Sequence, residues 1–217
     1  MLIGGGYGIS AKEDKAQGEN FVPGNKYLTT AEQEAIDSDK GGRYVIAQRT
    51  KGTRGNDVLA AGAALAVVKK QRFLGFFGAV GGHLPFATAD GNYDPTLSSG
   101  TEGPKSAETY TPADIAENPT LADMTRSALA VLQHDADGFW LMVEAGDVDW
   151  ANHANNLDNS IGATLCGDAA FRAVCEWAEQ HGRWNDTAVI VTADHGHYLV
   201  LEKPEVLVRT PSVNAAP

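Results

Sequence analysis

Two short apolar runs, each followed closely by metal-binding residue types, most constrain what this chain can fold into. The first run covers residues 139–143 and the second covers residues 188–191. Continuous runs of large and branched apolar side chains predict parallel strands that are buried on both faces. Open α/β sheets bind their ligands outside the carboxyl ends of such strands. The two runs therefore predict a ligand site at the point where both strands end.

The residues after the first run are carboxylates and an imidazole. Glu144 ends the run, and Asp149 and His153 follow it at a spacing of four residues. On a helical turn this spacing places both side chains on one face, where they can hold one ion between them. Carboxylate together with imidazole suits zinc, whereas carboxylate with water suits magnesium.

The second run is followed by a similar group. Asp194 and His195 are adjacent, so in a turn after a strand they can reach one ion from two sides. His197 could be a further ligand, or it could fix a ligand through a hydrogen bond from outside. Six such residues within about sixty positions, all placed after strand ends, favour a metal site over chance.

Size and charge limit the classes of partner. The 217 residues fit one domain, or one large lobe of a larger one. The 17 Lys and Arg against 28 Asp and Glu give a net charge of -11, which disfavours nucleic acid and anionic membranes as partners. No apolar run approaches the roughly 18 residues that a membrane helix needs. The first residues show no signal peptide.

The remaining chain alternates strands and helices, which is typical of an α/β layer fold. Strands are predicted at residues 44–47 and 73–77, with a helix at 57–70 between them, and a further helix begins at Pro119. We expect one domain over residues 1–217, with a loop-rich insert at about 87–118. Loops of this length commonly act as lids.

Residues 143–153 and 192–197 carry a family resemblance. Val-Glu-Ala-Gly-Asp-Val-Asp-Trp-Ala-Asn-His, followed by Thr-Ala-Asp-His-Gly-His, resembles the metal-binding core of alkaline phosphatases. Residues 119–125 resemble the helix that precedes this core, and residues 2–6 resemble an internal strand end further upstream. The resemblance implies a three-layer sandwich around a mostly parallel sheet, present here in incomplete form.

The same resemblance implies roles for the candidate ligands. It assigns Asp149 and His153 to a first zinc, Asp194 and His195 to a second zinc, and Glu144 to a magnesium. His197 would orient Asp149 from outside the ligand shell. In such enzymes two zinc ions about 4 Å apart stabilise the attacking and leaving oxygens of an in-line phosphoryl transfer. The implied substrates are small phosphate monoesters.

Several parts of the family pattern have no counterpart here. The family's nucleophilic serine, one bridging aspartate and the phosphate-binding arginine precede the segment that residues 2–6 resemble, and no histidine follows His197. Ser10, Ser127 and Ser160 show neither a strand-to-helix nucleophile turn nor an adjacent base. We therefore assign no catalytic residue, and we expect the carboxyl-side part of a phosphate monoester hydrolase, inactive by itself.

Two alternatives remain open from the sequence. One is a phosphomutase or sulfatase relative on the same scaffold, although the segment from Asp149 to His153 follows the phosphatase pattern. The other is a non-catalytic metal-binding domain. The resemblance also implies a periplasmic or extracellular location and a homodimer.

Overall fold

The structure is a computed structural model that describes residues 1–7, 28–79, 82–96 and 109–197. The middle of the predicted insert lies outside the described residues.

A small parallel sheet forms one half of the described fold. Strands β1 (Leu2–Gly4), β2 (Tyr44–Gln48) and β3 (Arg72–Phe76) are all parallel, with β3 between the other two. Ile3 lies opposite Gly75 in the β1–β3 pair. The two strands predicted in this part of the chain are confirmed.

In the described residues, six α-helices accompany the sheet. They are α1 (Thr30–Ile36), α2 (Gly55–Lys69), α3 (Pro112–Glu117), α4 (Leu121–Leu132), α5 (Asp147–His153) and α6 (Leu157–Gln180). A short 3₁₀ turn, Ser38–Lys40, follows α1. Capping boxes begin three of these helices, at Thr29, Thr111 and Thr120, where the threonine hydroxyl accepts from a free main-chain amide. The helices predicted at residues 57–70 and from Pro119 are confirmed as α2 and α4. Each begins within two residues of the predicted start.

The apolar core lies between the sheet and α2. Phe73 and Phe77 from the β3 region are fully buried there with Leu59 of α2, and Met124 of α4 closes the cluster. Burial of aromatic and aliphatic side chains of this kind is the dominant favourable term in folding. The core therefore fixes β2, β3, α2 and α4 as one unit.

A buried ion network ties α3 to the carboxyl ends of β2 and β3. Arg49 is 2% exposed and follows β2 directly. Its Nε donates to Glu117 (2.9 Å), and its Nη1 donates to Asp114 (2.7 Å) and to the carbonyl of Gly78 (3.0 Å). Both carboxylates of α3 are thus paired with one guanidinium. This network holds α3, at the carboxyl-terminal end of the insert, against the sheet.

The loop at residues 82–96 packs on the start of α6. The amide of Ala89 donates to Asp158 (2.9 Å), and the side-chain amide of Asn156 donates to the carbonyl of Thr96 (2.9 Å). A Cβ atom on Gly162 would meet the carbonyl oxygen of Ala87 at 1.7 Å, so only glycine allows this approach. Helix α6 itself packs against α4 and α5.

Helix α6 also carries both cysteines, Cys166 and Cys175, which are free thiols. It has 24 residues. Within the described residues, no helix is both long enough and apolar enough to cross a membrane.

The two apolar runs that opened the sequence prediction are not strands. In the part of the chain that the structure describes, residues 139–143 and 188–191 join no β-ladder. Trp140 is 80% exposed and Ile190 is 84% exposed, so the predicted burial is also wrong. A strand needs a neighbour that accepts its main-chain hydrogen bonds, and the sheet found here offers neither run a place. The fold is α/β, with helices flanking a parallel sheet that is incomplete.

Candidate metal centre

Helix α5 carries the first pair of candidate ligands. It begins after Gly146 and has seven residues, of which Ala151 is the buried one. Asp149 and His153 lie one turn apart, and the Nε2 atom of His153 is 3.4 Å from Oδ1 of Asp149. The i, i+4 spacing thus brings both side chains to one face of the helix.

The segment after the second apolar run brings two more imidazoles to the same carboxylate. The Nε2 atoms of His195 and His197 lie 3.4 Å and 3.2 Å from Oδ1 of Asp149. The rings of His153 and His197 are edge to face, with centroids 4.6 Å apart. We call Asp149, His153, His195 and His197 the imidazole cluster.

The imidazole cluster is open to solvent on one side. The side chain of His197 is 12% exposed, whereas that of His153 is 64% exposed. One ligand atom each from Asp149, His195 and His197 can be chosen so that all three lie within 4.8 Å of one another. A carboxylate among imidazoles is a donor set that zinc prefers, so the chemistry of these residues fits the ion implied by the sequence.

Asp194 lies at the edge of this cluster. Its side chain is 92% exposed, and its Oδ2 lies 3.7 Å from Nε2 of His195. Its Oδ1 accepts from the main-chain amide of His195 at 3.0 Å. Asp194 therefore contacts the imidazole of His195, which itself lies against Asp149.

Glu144 lies three residues before the first residue of α5, and within the described residues no ion pair joins it to the three imidazoles. Its carboxylate turns towards Gly146, where a Cβ atom would lie 3.5 Å away. Burial, and then the negative charge of Glu144, raise the pKa of Asp147 to about 7. The two acids therefore form a pair of their own beside the imidazole cluster.

Two residues near the imidazole cluster, His83 and Asp147, were not identified from the sequence. The ring of His83 lies against that of Trp150, with centroids 4.7 Å apart, and Trp150 is next to Asp149 in α5. Burial lowers the pKa of His83. A single histidine in a glycine-rich loop gives no motif. Asp147, the second of these residues, lies within the recognised motif, but its pKa is raised by burial and by the charge of Glu144 in the folded chain. Neither could be found by spacing alone.

Comparison with known proteins agrees with the resemblance of the motifs. The model of the alkaline phosphatase family matches residues 18–210. An alkaline phosphatase of Escherichia coli is 30% identical to this chain, and the match covers 92% of the chain and 45% of the relative. An alkaline phosphatase of Escherichia fergusonii is 34% identical over 70% of the chain and 32% of the relative.

A relative with a different name is a streptomycin-6-phosphate phosphatase of Streptomyces griseus. It is 38% identical over 48% of this chain and 24% of its own length. The chain spans less than half the length of each of these three relatives. The family match nonetheless includes α5, the imidazole cluster and both metal motifs. The chain therefore belongs to the alkaline phosphatase family.

Proposed function

We propose that this chain is the metal-binding part of a metal-dependent hydrolase of small phosphate monoesters. The observation that carries the proposal is the approach of three imidazole Nε2 atoms to one oxygen of Asp149, within 3.4 Å. Membership of the alkaline phosphatase family supports phosphate ester hydrolysis over the phosphomutase and sulfatase alternatives.

The proposed ligand assignment follows the family pattern. Asp149 and His153 would hold one zinc, Asp194 and His195 a second zinc, and Glu144 a magnesium. Bound zinc would supply a Lewis acid for the phosphoryl oxygens and lower the pKa of a bound water. His197 would keep Asp149 in its ligating orientation through a hydrogen bond.

We assign no nucleophile in this chain, and we propose that the 217 residues alone bind metal without efficient turnover. Two serines in the described residues have structural roles. Ser127 is buried in α4, and the Ser160 hydroxyl donates to Asn152 at 2.8 Å. The whole protein would act on phosphate monoesters as a homodimer in the periplasm or outside the cell. The acidic charge argues against nucleic acid as a partner.

The test combines metal analysis with an activity assay. Protein purified without chelator is analysed for zinc, in the native sequence and in Asp149→Ala, Asp194→Ala and Asp168→Ala. Asp168 pairs with Arg172 on the surface of α6, so its variant is the matched control. We expect zinc in the native chain and the control, and its loss in the other two variants.

Hydrolysis of p-nitrophenyl phosphate is measured on the same samples. We expect at most a trace in all of them. Zinc that survives Asp149→Ala would overturn the proposed site. Strong hydrolysis that disappears in Asp149→Ala would keep the function and overturn the proposal that this chain is inactive alone.

A further inference from the structure

The contact between His83 and Trp150 joins the loop after β3 to the helix that carries two of the candidate ligands. His83 belongs to the loop after β3, whereas Trp150 belongs to α5, the helix that carries Asp149 and His153. Their ring centroids are 4.7 Å apart with the ring planes at 52°. An aromatic pair at this distance lies in the favourable range of 4.5–7 Å. The sheet and the metal-binding helix thus touch through these two rings.

The loop that carries His83 is held firmly at the carboxyl edge of the sheet. The carbonyl of His83 accepts from the amide of Ala79 at 2.6 Å, and the carbonyl of Gly82 accepts from Gly6 at 2.7 Å. A Cβ atom on Gly5 would lie 2.6 Å from the same carbonyl of Gly82, so glycine is needed for this approach. His83 therefore has a defined position relative to β1 and β3.

Helix α5 is short and packs against α6. It has seven residues and no side-chain cap at Gly146, and Ala151 is its buried residue. On the α6 side, Asn152 accepts from the hydroxyl of Ser160 at 2.8 Å. A helix this short gains little stability from its own hydrogen bonds, so tertiary contacts must orient it. The ring of His83 contacts it from the loop that follows β3.

We propose that His83 is a positioning residue for the metal centre: its ring holds Trp150, and so keeps Asp149 of α5 in place for zinc. This inference rests on the proposed function, because it assumes that the imidazole cluster binds zinc. His83 itself ligates no ion. The ring contact, rather than a charge or a proton on the imidazole, carries the effect.

The test measures the zinc affinity of the full 217-residue chain by competition with a chromophoric chelator, in buffer without urea and on variants that are folded under these conditions. His83→Ala should weaken zinc binding about tenfold, the lower end of the effect of residues that support metal ligands. His83→Phe keeps a ring against Trp150 and should restore most of the affinity. His134→Ala removes an exposed histidine just after α4 and should leave the affinity unchanged.

A double-variant cycle separates positioning from general weakening. If His83 acts through Trp150, the His83→Ala/Trp150→Ala double variant should bind zinc as weakly as Trp150→Ala alone, because the second change removes a contact already lost. Additive losses would overturn the inference. So would native affinity in His83→Ala, or failure of His83→Phe to restore binding.

The failures of the two proposals can be told apart. A native chain without zinc overturns the proposed function and this inference together. Zinc that is lost in Asp149→Ala but fully retained in His83→Ala overturns the inference alone.

Discussion

The Nε2 atom of His197 lies 3.2 Å from Oδ1 of Asp149, on the least exposed side of the imidazole cluster. A histidine in this position can donate a hydrogen bond to the carboxylate and fix its orientation, or it can turn towards the ion itself. Both roles predict that zinc affinity depends on His197, although it is not among the ligands that the family pattern assigns.

We expect His197→Ala to weaken zinc binding about 10-fold to 100-fold, because residues that hold a metal ligand typically contribute this much. His197→Gln keeps a donor near Asp149 and should lose less. The affinities are measured by chelator competition, with His181→Ala as the control, since His181 is exposed after α6 and contacts Trp177. Equal affinities of native protein and His197→Ala would show that the contact has no bearing on the metal.

The buried guanidinium of Arg49 gives a prediction about stability. Arg49→Met fills a similar volume but leaves Asp114 and Glu117 buried without their partner. Breaking a buried ion pair from one side costs about 3–5 kcal/mol in free energy of unfolding. The measurement is urea unfolding at neutral pH, followed by circular dichroism.

Arg126→Met is the matched control for this change. The Arg126 side chain is 54% exposed and lies 3.7 Å from Asp123 and from Glu176. Exposed pairs of this kind contribute about 0–1 kcal/mol. A loss for Arg49→Met no larger than that of the control would mean that the network is relieved by water or by rearrangement of α3.

The same network makes stability depend on pH. Burial by itself would raise the pKa of Asp114, but hydrogen bonds from Thr111 and then from Arg49 outweigh it and hold the pKa below its usual value. A carboxyl with a lowered pKa in the folded state contributes stability above its unfolded pKa of about 3.9, and loses it as the pH falls through the folded value. Asp114→Asn cannot titrate.

We therefore expect Asp114→Asn to destabilise the protein most near pH 6, and the gap between native and variant to shrink as the pH falls below about 4. Urea unfolding at pH 6, pH 4 and pH 3 measures the gap. A gap that stays constant over this range would mean that Asp114 acts through hydrogen bonds alone, with no contribution from its charge.

Local chemistry explains which parts of the fold were predictable. The helix starts at Thr29 and Thr120 depend on a cap within three residues, and the sequence shows such caps directly. Helix α3 begins in the same way after Thr111, inside the insert that was predicted to be loop-rich. The strand at residues 72–76 has a buried apolar pattern and a neighbour on either side. The runs at 139–143 and 188–191 have an equally apolar pattern, but pattern alone cannot supply a neighbouring strand.

The candidate site shows the same division. The approach of Asp149 to His153 follows from a spacing of four residues on one helix. The contact of Trp150 with His83 joins residues 67 positions apart in sequence, and it depends on how the loop after β3 packs against the sheet. Long-range packing of this kind leaves no periodic signal, so it emerges only from the assembled fold.

The exposed apolar runs predict that the chain associates with itself. Large apolar side chains that are exposed together mark surfaces prone to association, and segments with strand-forming sequence can pair edge to edge. Ile190 is 84% exposed in a run that forms no ladder within the described residues. We expect Ile190→Lys to reduce association, because a charged side chain in the run disfavours pairing between copies.

Light scattering after size exclusion, over a range of protein concentrations, measures this effect. Val68→Lys is the matched control, since Val68 is 79% exposed but lies on helix α2, away from both runs. We expect Ile190→Lys to lower the average mass at high concentration and Val68→Lys to leave it as in the native chain. If both variants behave alike, net charge rather than the exposed run controls association. A native chain that stays monomeric at every concentration would mean that exposure of these runs carries no tendency to pair.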